Sequence, residues 1–182
     1  MNEINESGSI KSSGIISNGV NLLYIANARM PTEKAHGLQI AKMCEAFAKQ
    51  GAKVTLVIPT RKNALKGDLF SYYNVAKTFS VVELPVKDTV RFGKIGFIIQ
   101  SILFSFAVRK YVEKNANADY IFTRDLLPAL GLRNANQPVC LEVHFLPNWS
   151  MKKIGRVFRN FKKIVSTNVW NKETLVELGI PK

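Results

Sequence analysis

The chain has 182 residues, 47% of them hydrophobic, and a formal net charge of +13. This length and apolar content suit one α/β domain with a sizeable core, and the charge favours an anionic partner: nucleic acid, acidic lipid headgroups or a phosphorylated small molecule. The two cysteines, Cys44 and Cys140, lack the spacing of metal ligands, so a zinc site is not expected. We interpret both as reduced residues on buried faces of a cytosolic protein.

Residues 1–20 are polar, rich in Ser, Asn and Gly, and lack the basic start and apolar run of a signal peptide. We expect a loose tail there and one ordered domain over residues 21–182. The domain opens with Leu22–Ala28, an apolar run long enough for a strand and too short for a helix. A helical pattern runs from His36 to Gly51, and Val54–Ile58 is a second apolar, β-branched run. This order predicts a βαβ unit and therefore a parallel sheet.

In such a sheet the ligand lies beyond the carboxyl ends of the strands, near the first strand-to-helix turn. Here that turn is Asn27–Gly37. The helix after it has apolar residues at steps of three and four. Its expected buried face carries Leu38, Ala41, Cys44, Phe47 and Ala48, and its expected polar positions are Lys42, Glu45, Lys49 and Gln50.

The rest of the chain continues the alternation of strands and helices. Four more strands are predicted at Phe79–Leu84, Asp119–Thr123, Val139–Val143 and Ile164–Thr167. Helices are predicted within Lys87–Lys114 and at Leu126–Arg133, Trp149–Lys162 and Trp170–Leu178. Arg61–Asn74 is predicted to be a basic, turn-rich connection. The expected fold class is therefore α/β, a single Rossmann-like domain with a doubly wound parallel sheet.

The most apolar segment, Ile95–Val108, has two interpretations. Its uncharged run of fourteen residues is shorter than the roughly twenty that cross a bilayer, which favours a core helix packed on the sheet. The alternative is an interfacial helix, because basic residues flank its aromatic ones and suit acidic lipid headgroups. Both can hold on different faces. The flanking cations are Lys87, Arg91, Lys94, Arg109 and Lys110.

Basic side chains follow nearly every predicted strand. If all strands are parallel, these residues meet at one edge of the sheet and give it a positive potential that favours a phosphate-bearing ligand. The alternative is that a basic chain simply has cations on every loop. The residues concerned are Arg29, Lys34, His36, Arg61, Lys62, Lys87, Arg124 and His144.

Several motifs of other enzyme classes are absent from the sequence. It contains no Gly-x-Gly, no phosphate-binding Gly-x4-Gly-Lys-Ser/Thr loop and no nucleophile elbow, which argues against a dinucleotide-binding enzyme, a P-loop nucleotide hydrolase and a serine hydrolase. It also lacks an Asp-x-Asp pair that would chelate a metal.

Four stretches carry a resemblance to a known family. The run from Arg29 to Ile40, RMPTEKAHGLQI, resembles the start of a glycosyltransferase of the family 4 type. Tyr120–Asp125 and Leu141–Phe145 resemble the fourth and fifth strand segments of that family, and Ile164–Ile180 resembles the end of its N-terminal domain. The resemblance covers about residues 21–180. It implies the GT-B architecture, in which two Rossmann-like domains face each other across a cleft.

The resemblance implies a division of labour between those domains. The N-terminal domain mostly binds the acceptor, and the C-terminal domain mostly binds the nucleotide-sugar and carries a Glu-x7-Glu signature, which this sequence lacks. We therefore expect the acceptor-side half of an enzyme, with the C-terminal donor-binding domain absent and little turnover by this chain alone. The implied reaction transfers a hexose from a nucleotide-sugar to a hydroxyl of a glycan or lipid-linked acceptor, with retention. The nucleotide-sugar is a co-substrate, and neither a cofactor nor a metal is expected.

The resemblance also selects site residues. It places Ala35, His36 and Gly37 near the donor phosphate, and Gly37 would let the backbone approach closely. His144 matches a histidine of the family and is the candidate catalytic residue, as a hydrogen-bonding partner of the transferred sugar or the acceptor. The further candidates for acceptor or donor-phosphate binding are Arg29, Lys34, Arg124 and Glu142. Each also has a structural alternative: Arg124 could pair with Asp125, and Glu142 could be a buried, paired carboxylate.

Two other functions remain open from the sequence. A non-catalytic subunit or truncated remnant would bind a partner, such as a separate donor-binding chain, or an anionic membrane surface. A nucleic-acid binder would use the positive charge, but the cations are dispersed and no recognition motif is present, so no specific nucleic acid is expected. The expected location is the cytoplasm, with peripheral binding to the inner face of the membrane as a hypothesis.

Overall fold

The structure is a computed structural model that describes residues 19–65, 67–115, 117–148, 150–159 and 161–180. Its strands are β1 (Asn21–Ile25), β2 (Lys53–Pro59), β3 (Ser80–Leu84), β4 (Tyr120–Thr123), β5 (Val139–Val143) and β6 (Lys163–Ser166). Its helices are α1 (Ala35–Lys49), α2 (Leu69–Tyr73), α3 (Gly93–Lys114), α4 (Leu126–Gly131), α5 (Met151–Phe158) and α6 (Val169–Glu177), with a 3-10 turn at Val90–Phe92 before α3.

The six strands form one parallel sheet in the order β3-β2-β1-β4-β5-β6. This arrangement confirms the predicted Rossmann-like, doubly wound α/β fold. Buried residues of α1 and α2 join the core on one face of the sheet, around Tyr24, Ile40 and Leu56. Buried residues of α3, α4, α5 and α6 join the core on the other face, around Ile25, Phe104 and Ile121. The reversal of strand order between β1 and β4 is therefore the switch point of the sheet.

Local signals set the ends of the helices. Gly51, with φ of +91°, lets the chain turn sharply after α1, and its N–H donates to the carbonyl of Ala48. The helix α2 lies inside the stretch predicted to be a connection. It forms because the Asp68 carboxylate accepts from the backbone N–H of Ser71 and Asn74 turns left-handed at its end. A five-residue helix has too few residues for a periodic signal, which explains the omission.

Several predicted boundaries and burials need correction. Strand β1 ends at Ile25. The next three residues are buried but lie outside the strand, although the Ala26 N–H still donates to the Val57 carbonyl of β2. Leu38 is 46% exposed, because it points away from the sheet near the start of α1. Glu45 is buried instead, since its carboxylate accepts from the Ala76 N–H and contacts two lysines. Cys140 is only partly buried.

The ends of the chain also bear on the predictions. Gly19 and Val20, expected in the loose tail, hydrogen-bond with Gly51 and Lys53 next to the sheet. The remainder of the predicted tail, 1–18, lies outside the described residues, as does Trp149 of the predicted basic helix. That helix is shorter than expected and spans Met151–Phe158.

Candidate functional site

A cleft of about 590 Å³ opens at the carboxyl edge of the sheet, where the chain leaves β1 and β4. The connection after β1 leads to α1 on one face, whereas the connection after β4 leads to α4 on the other, so the two diverge and leave a crevice. The cleft is lined by Asn27, Ala28, Arg29, Thr32, Glu33, Lys34, His36, Ile40, Arg61, Val90, Phe97, Arg124 and Asp125.

A hydrogen bond between the two diverging connections closes the base of the cleft. The Asn27 N–H donates to Asp125 Oδ2 at 2.7 Å, and the Asn27 side chain donates to the Ser101 hydroxyl on α3 at 2.8 Å. Burial raises the pKa of Asp125, while the Asn27 bond and the nearby charges of Arg124 and His144 oppose that rise. Asn27 Oδ1 is buried and accepts no hydrogen bond within the described part of the chain.

The structure brings together many of the basic residues predicted to follow the strands. Five of them line the cleft: Arg29, Lys34, His36, Arg61 and Arg124. Lys62 and Lys87, which follow β2 and β3, are not among its lining residues. Connections from β1 and β4 contribute four of the five, since these strands are neighbours at the switch point. The cleft therefore concentrates positive charge where a sheet of this kind binds its ligand.

Two of the arginines already have acidic partners. Arg29 forms an exposed ion pair with Glu33 at 2.6 Å, within the same turn. Arg61 lies 3.8 Å from Asp88, and its Nε atom is buried without a hydrogen-bond acceptor among the described residues. Burial lowers the pKa of Arg61, but a guanidinium remains charged at neutral pH. Arg61 therefore retains capacity to bind an anion.

The N-terminus of α1 faces the cleft through Lys34 and His36. No side chain caps this helix end, and its first turn contains no acidic residue, so its partial positive charge adds to that of the cations. Burial lowers the pKa of His36, and the neighbouring charges of Arg124 and Lys34 lower it further. These effects favour the neutral imidazole, which can donate one hydrogen bond and accept another.

Gly37 does not line the cleft, although the family resemblance implied a position near a donor phosphate. Its N–H donates to the Lys34 carbonyl at 2.9 Å. A Cβ atom there would lie 2.5 Å from Thr32 Cγ2 and would collide with the hydroxyl of Tyr73 on α2. The structure thus gives this glycine a packing role between α1 and α2.

A second predicted group lies beside the cleft, at the end of β5. His144 and Glu142 line a smaller depression of about 250 Å³ that shares Arg124 and Asp125 with the main cleft. His144 Nε2 lies 3.1 Å from Glu142 Oε1, near enough for an ion pair but without the alignment of a hydrogen bond. The Asn171 side chain, at the start of α6, donates to the His144 carbonyl at 3.0 Å and fixes the backbone there.

Gln39 connects these two groups. Arg124 Nη1 donates to Gln39 Oε1 at 2.9 Å, and Gln39 Nε2 donates to Glu142 Oε1 at 3.2 Å. A polar chain therefore runs from Arg124 through Gln39 and Glu142 to His144. Glu142 is buried, and its Oε2 atom has no partner within the described residues. The structural alternative for Arg124, an ion pair with Asp125, is not found among the described residues. Arg124 is instead positioned by the amide of α1.

Sequence reasoning named neither Gln39, Asn27 nor Asn171 as a site residue. A signal existed for two of them. Asn27 lies two residues after the end of the largely buried strand β1. Gln39 lies three residues after His36, hence on the same side of α1. Asn171 gave no local signal, because its role depends on the packing of α6 against the end of β5.

The carboxyl edge also exposes large apolar side chains. Phe145 after β5 is 89% exposed, and the other members of this set are Leu38, Leu127, Val169 and Trp170. We call these five residues the apolar rim. They border the polar site at the start of α1, α4 and α6 and directly after β5. Exposed apolar side chains at this edge are a candidate contact surface, which both the half-enzyme and the subunit hypotheses predict.

Acidic, histidine and cysteine side chains do not gather into a metal-binding group. Within the described ranges, no cluster of three or more could hold a metal ion.

Comparisons with known proteins bear on this geometry. No protein-family profile matches the chain, and no curated protein matches it in sequence. Solved structures do match in fold. A protein assigned as a UDP-N-acetylglucosamine 2-epimerase of Listeria monocytogenes superposes with a TM-score of 0.65 at 11% identity, covering 91% of this chain and 44% of that one.

Two further structures match less extensively. UGT2 of Phytolacca americana gives a TM-score of 0.53 at 14% identity, over 70% of this chain and 30% of its own. MurG of Acinetobacter baumannii gives a TM-score of 0.50 at 13% identity, over 81% of this chain and 41% of its own. The chain thus spans less than half the length of each. It has the Rossmann-like fold of one half of a GT-B architecture, and at these identities the likeness concerns the fold alone.

Proposed function

We propose that the chain is the acceptor-side, N-terminal half of a GT-B glycosyltransferase of the family 4 type. It would transfer a hexose from a nucleotide-sugar to a hydroxyl acceptor with retention. The observation that carries the proposal is the cleft at the switch point, where three arginines, Lys34 and the start of α1 converge. This is the chemistry that holds a diphosphate. A related fold supports it, since UGT2 has been solved with UDP-2-fluoro-glucose and pterostilbene.

Each group has a defined part in this proposal. The N-terminus of α1, with Lys34 and Arg124, offsets the negative charge that develops on the leaving diphosphate. Neutral His36 hydrogen-bonds a phosphate oxygen or the acceptor. His144, at the end of β5, hydrogen-bonds the transferred sugar or the acceptor hydroxyl. Glu142 is a positioning residue, because it contacts His144 directly and reaches Arg124 through Gln39.

The proposal requires a second, donor-binding domain, either on the same longer protein or on a separate chain. The apolar rim is the surface we assign to it, because these side chains border the cleft that the second domain would complete. A non-catalytic subunit that recruits such a partner would use the same rim. The two functions differ in whether the polar site binds a ligand.

Ligand binding separates the two functions. We would titrate the isotope-labelled chain with UDP, UDP-glucose and inorganic diphosphate and follow backbone amide shifts by NMR. Shifts around Lys34, His36 and Arg124 are expected. Arg124→Ala should weaken binding about tenfold or more, because a hydrogen bond to a charged group contributes about 1.5–3 kcal/mol. The matched control is Arg133→Ala, which removes an exposed arginine outside the cleft.

The proposal fails if none of these compounds shifts the cleft residues, or if Arg133→Ala weakens binding as much as Arg124→Ala. Equal, salt-sensitive shifts with unrelated DNA would favour the nucleic-acid function instead. A reconstitution then tests the reaction. If the coding sequence following Lys182, or a neighbouring gene, encodes a Rossmann-like domain with Glu-x7-Glu, adding that domain should produce sugar transfer that His144→Ala lowers. No activity with both halves present would refute the enzyme function.

A further inference from the structure

The helix α3 has an unusual distribution of polar and apolar residues. Its buried side includes Gln100 and Ser101, and both amide atoms of Gln100 lack a partner among the described residues. Its opposite side exposes six large apolar residues, between 39% and 72% accessible: Ile95, Ile98, Ile99, Ile102, Leu103 and Phe106. We call these six the apolar face of α3. A helix of a soluble domain normally shows the reverse distribution.

The residues of this face recur at steps of three and four, so they form one continuous stripe. From Ile95 to Phe106 the stripe is about 16 Å long at 1.5 Å per residue. Phe92, just before the helix, extends it by another exposed aromatic ring. Contiguous exposed apolar surface of this kind marks an interaction site rather than scattered surface residues.

Cations border the stripe at both ends. Arg91 and Lys94 lie at its N-terminal end, and Arg109 and Lys110 at its C-terminal end, all of them exposed. The one acidic side chain within α3 is Glu113, which pairs with Arg109 at 3.0 Å. Asp88, three residues before Arg91, lies against Arg61. The apolar stripe therefore has a basic border with few compensating negative charges.

We propose that the apolar face of α3 binds the surface of an anionic lipid bilayer, with the helix lying in the plane of the interface. An apolar face fits the acyl boundary of the bilayer, and the flanking cations fit anionic headgroups. The charges disfavour a second copy of the chain as the occupant. Whether two copies of α3 packed parallel or antiparallel, cations at each end would face cations of the other copy.

The helix binds on the bilayer and does not cross it. By length and composition, Val90–Lys114 is one segment of the described chain that could span a membrane, and 33% of its most apolar window is buried inside the protein. The opposite side of α3, however, is fixed in the domain core, where Phe104 and Val108 have no exposed surface. A spanning helix would have to remove these side chains from the core.

The position of α3 connects this surface with the candidate site. Val90 in the 3-10 turn before α3 and Phe97 in the first turns of α3 also line the cleft. Binding through the apolar face therefore holds the cleft near the bilayer and gives it access to acceptors carried by lipid. This last consequence rests on the proposed function, whereas the membrane surface itself does not.

The test is sedimentation of the chain with vesicles of phosphatidylcholine, with and without phosphatidylglycerol. The wild-type chain should bind the anionic vesicles, and high salt should weaken the binding. Ile95→Asp/Phe106→Asp should bind about tenfold more weakly or worse, because two large apolar side chains no longer enter the bilayer. The matched control is Val169→Asp. Val169 is 68% exposed, close to the 67% of Phe106, and belongs to the apolar rim.

Circular dichroism of each variant checks that the fold persists. A Phe106→Trp variant gives a second measurement, in which brominated acyl chains should quench its fluorescence beyond that of the wild type. The proposal is overturned if the chain ignores anionic vesicles at low salt, or if the double variant binds like the wild type. If the wild-type chain is a dimer that does not bind vesicles, and the double variant is a monomer, the apolar face of α3 serves self-association instead. Vesicle binding is measured without nucleotide-sugar, so failure of the chain to bind a nucleotide-sugar would not change the outcome of this test.

Discussion

Gly37→Ala is expected to destabilise the domain, because the added methyl group has no room between α1 and α2. Its Cβ would lie 2.5 Å from Thr32 Cγ2 and collide with the Tyr73 hydroxyl. That hydroxyl accepts from the Thr32 N–H at 2.6 Å and donates to the Thr32 carbonyl at 2.9 Å. A methyl group that enters this space must therefore displace two buried hydrogen bonds.

The magnitude follows from three effects. Overpacking costs about 1–3 kcal/mol, and the two hydrogen bonds contribute about 1 kcal/mol each. Alanine offsets about 1 kcal/mol through its higher helix propensity. The free energy of unfolding should therefore fall by about 2–4 kcal/mol.

Urea unfolding followed by far-ultraviolet circular dichroism measures this change. The control is Gly131→Ala in α4, where the nearest atom to the added Cβ is Ser105 Cβ at 3.4 Å, an ordinary contact. A double-mutant cycle with Tyr73→Phe adds a specific test, because removing the hydroxyl should reduce the cost of Gly37→Ala. The reasoning is refuted if Gly37→Ala unfolds at the wild-type midpoint, or if Tyr73→Phe leaves its cost unchanged.

Three further predictions concern charge and hydrogen bonding. Arg124→Ala should raise the pKa of His36 toward its ordinary value, measured by NMR titration of the imidazole, because the guanidinium opposes its protonation. Hydrogen bonds from a backbone N–H and from lysines lower the pKa of Glu45 to about 2. The carboxylate therefore stabilises the fold at pH values above its unfolded pKa, and this stabilisation is lost as the pH falls through the folded pKa. The urea midpoints of Glu45→Gln and the wild type should accordingly converge as the pH is lowered from neutral to 2. Gln39→Ala should lower the free energy of unfolding by about 1–3 kcal/mol, because it removes the hydrogen-bond donor of buried Glu142.

Control variants or contradicting outcomes test each of these three predictions. For His36, Arg133→Ala should leave the titration unchanged, and a shift in that variant would mean that the effect is not local. A constant difference between Glu45→Gln and the wild type across the pH range would contradict the linkage argument. For Gln39, the control is Gln50→Ala at the exposed end of the same helix, and an equal loss in both variants would refute the bridging role.

The amino-acid sequence by itself determined the six strands of this protein, its helices except the five-residue α2, and the doubly wound arrangement. Short apolar runs predict the strands, and a helical period of apolar residues predicts the helices. Local geometry sets their ends, as at Gly51 after α1 and Pro59 at the end of β2. Parallel pairing follows, because each strand is separated from the next by a helical crossover. The sequence also placed Arg124 and His144 directly after strands, which is where the structure has them.

Only the tertiary structure decided which of these residues meet. The cations after β1 and β4 share a cleft because the strand order reverses between those strands, and Lys62 and Lys87 fall outside it. Gln39 lies 85 residues from Arg124 and 103 from Glu142, so no local pattern could reveal that it connects them. The outward apolar side of α3 depends in the same way on which face the sheet covers. Sequence periodicity reports the faces of an element, whereas packing between distant elements decides which face is buried and which is free to bind.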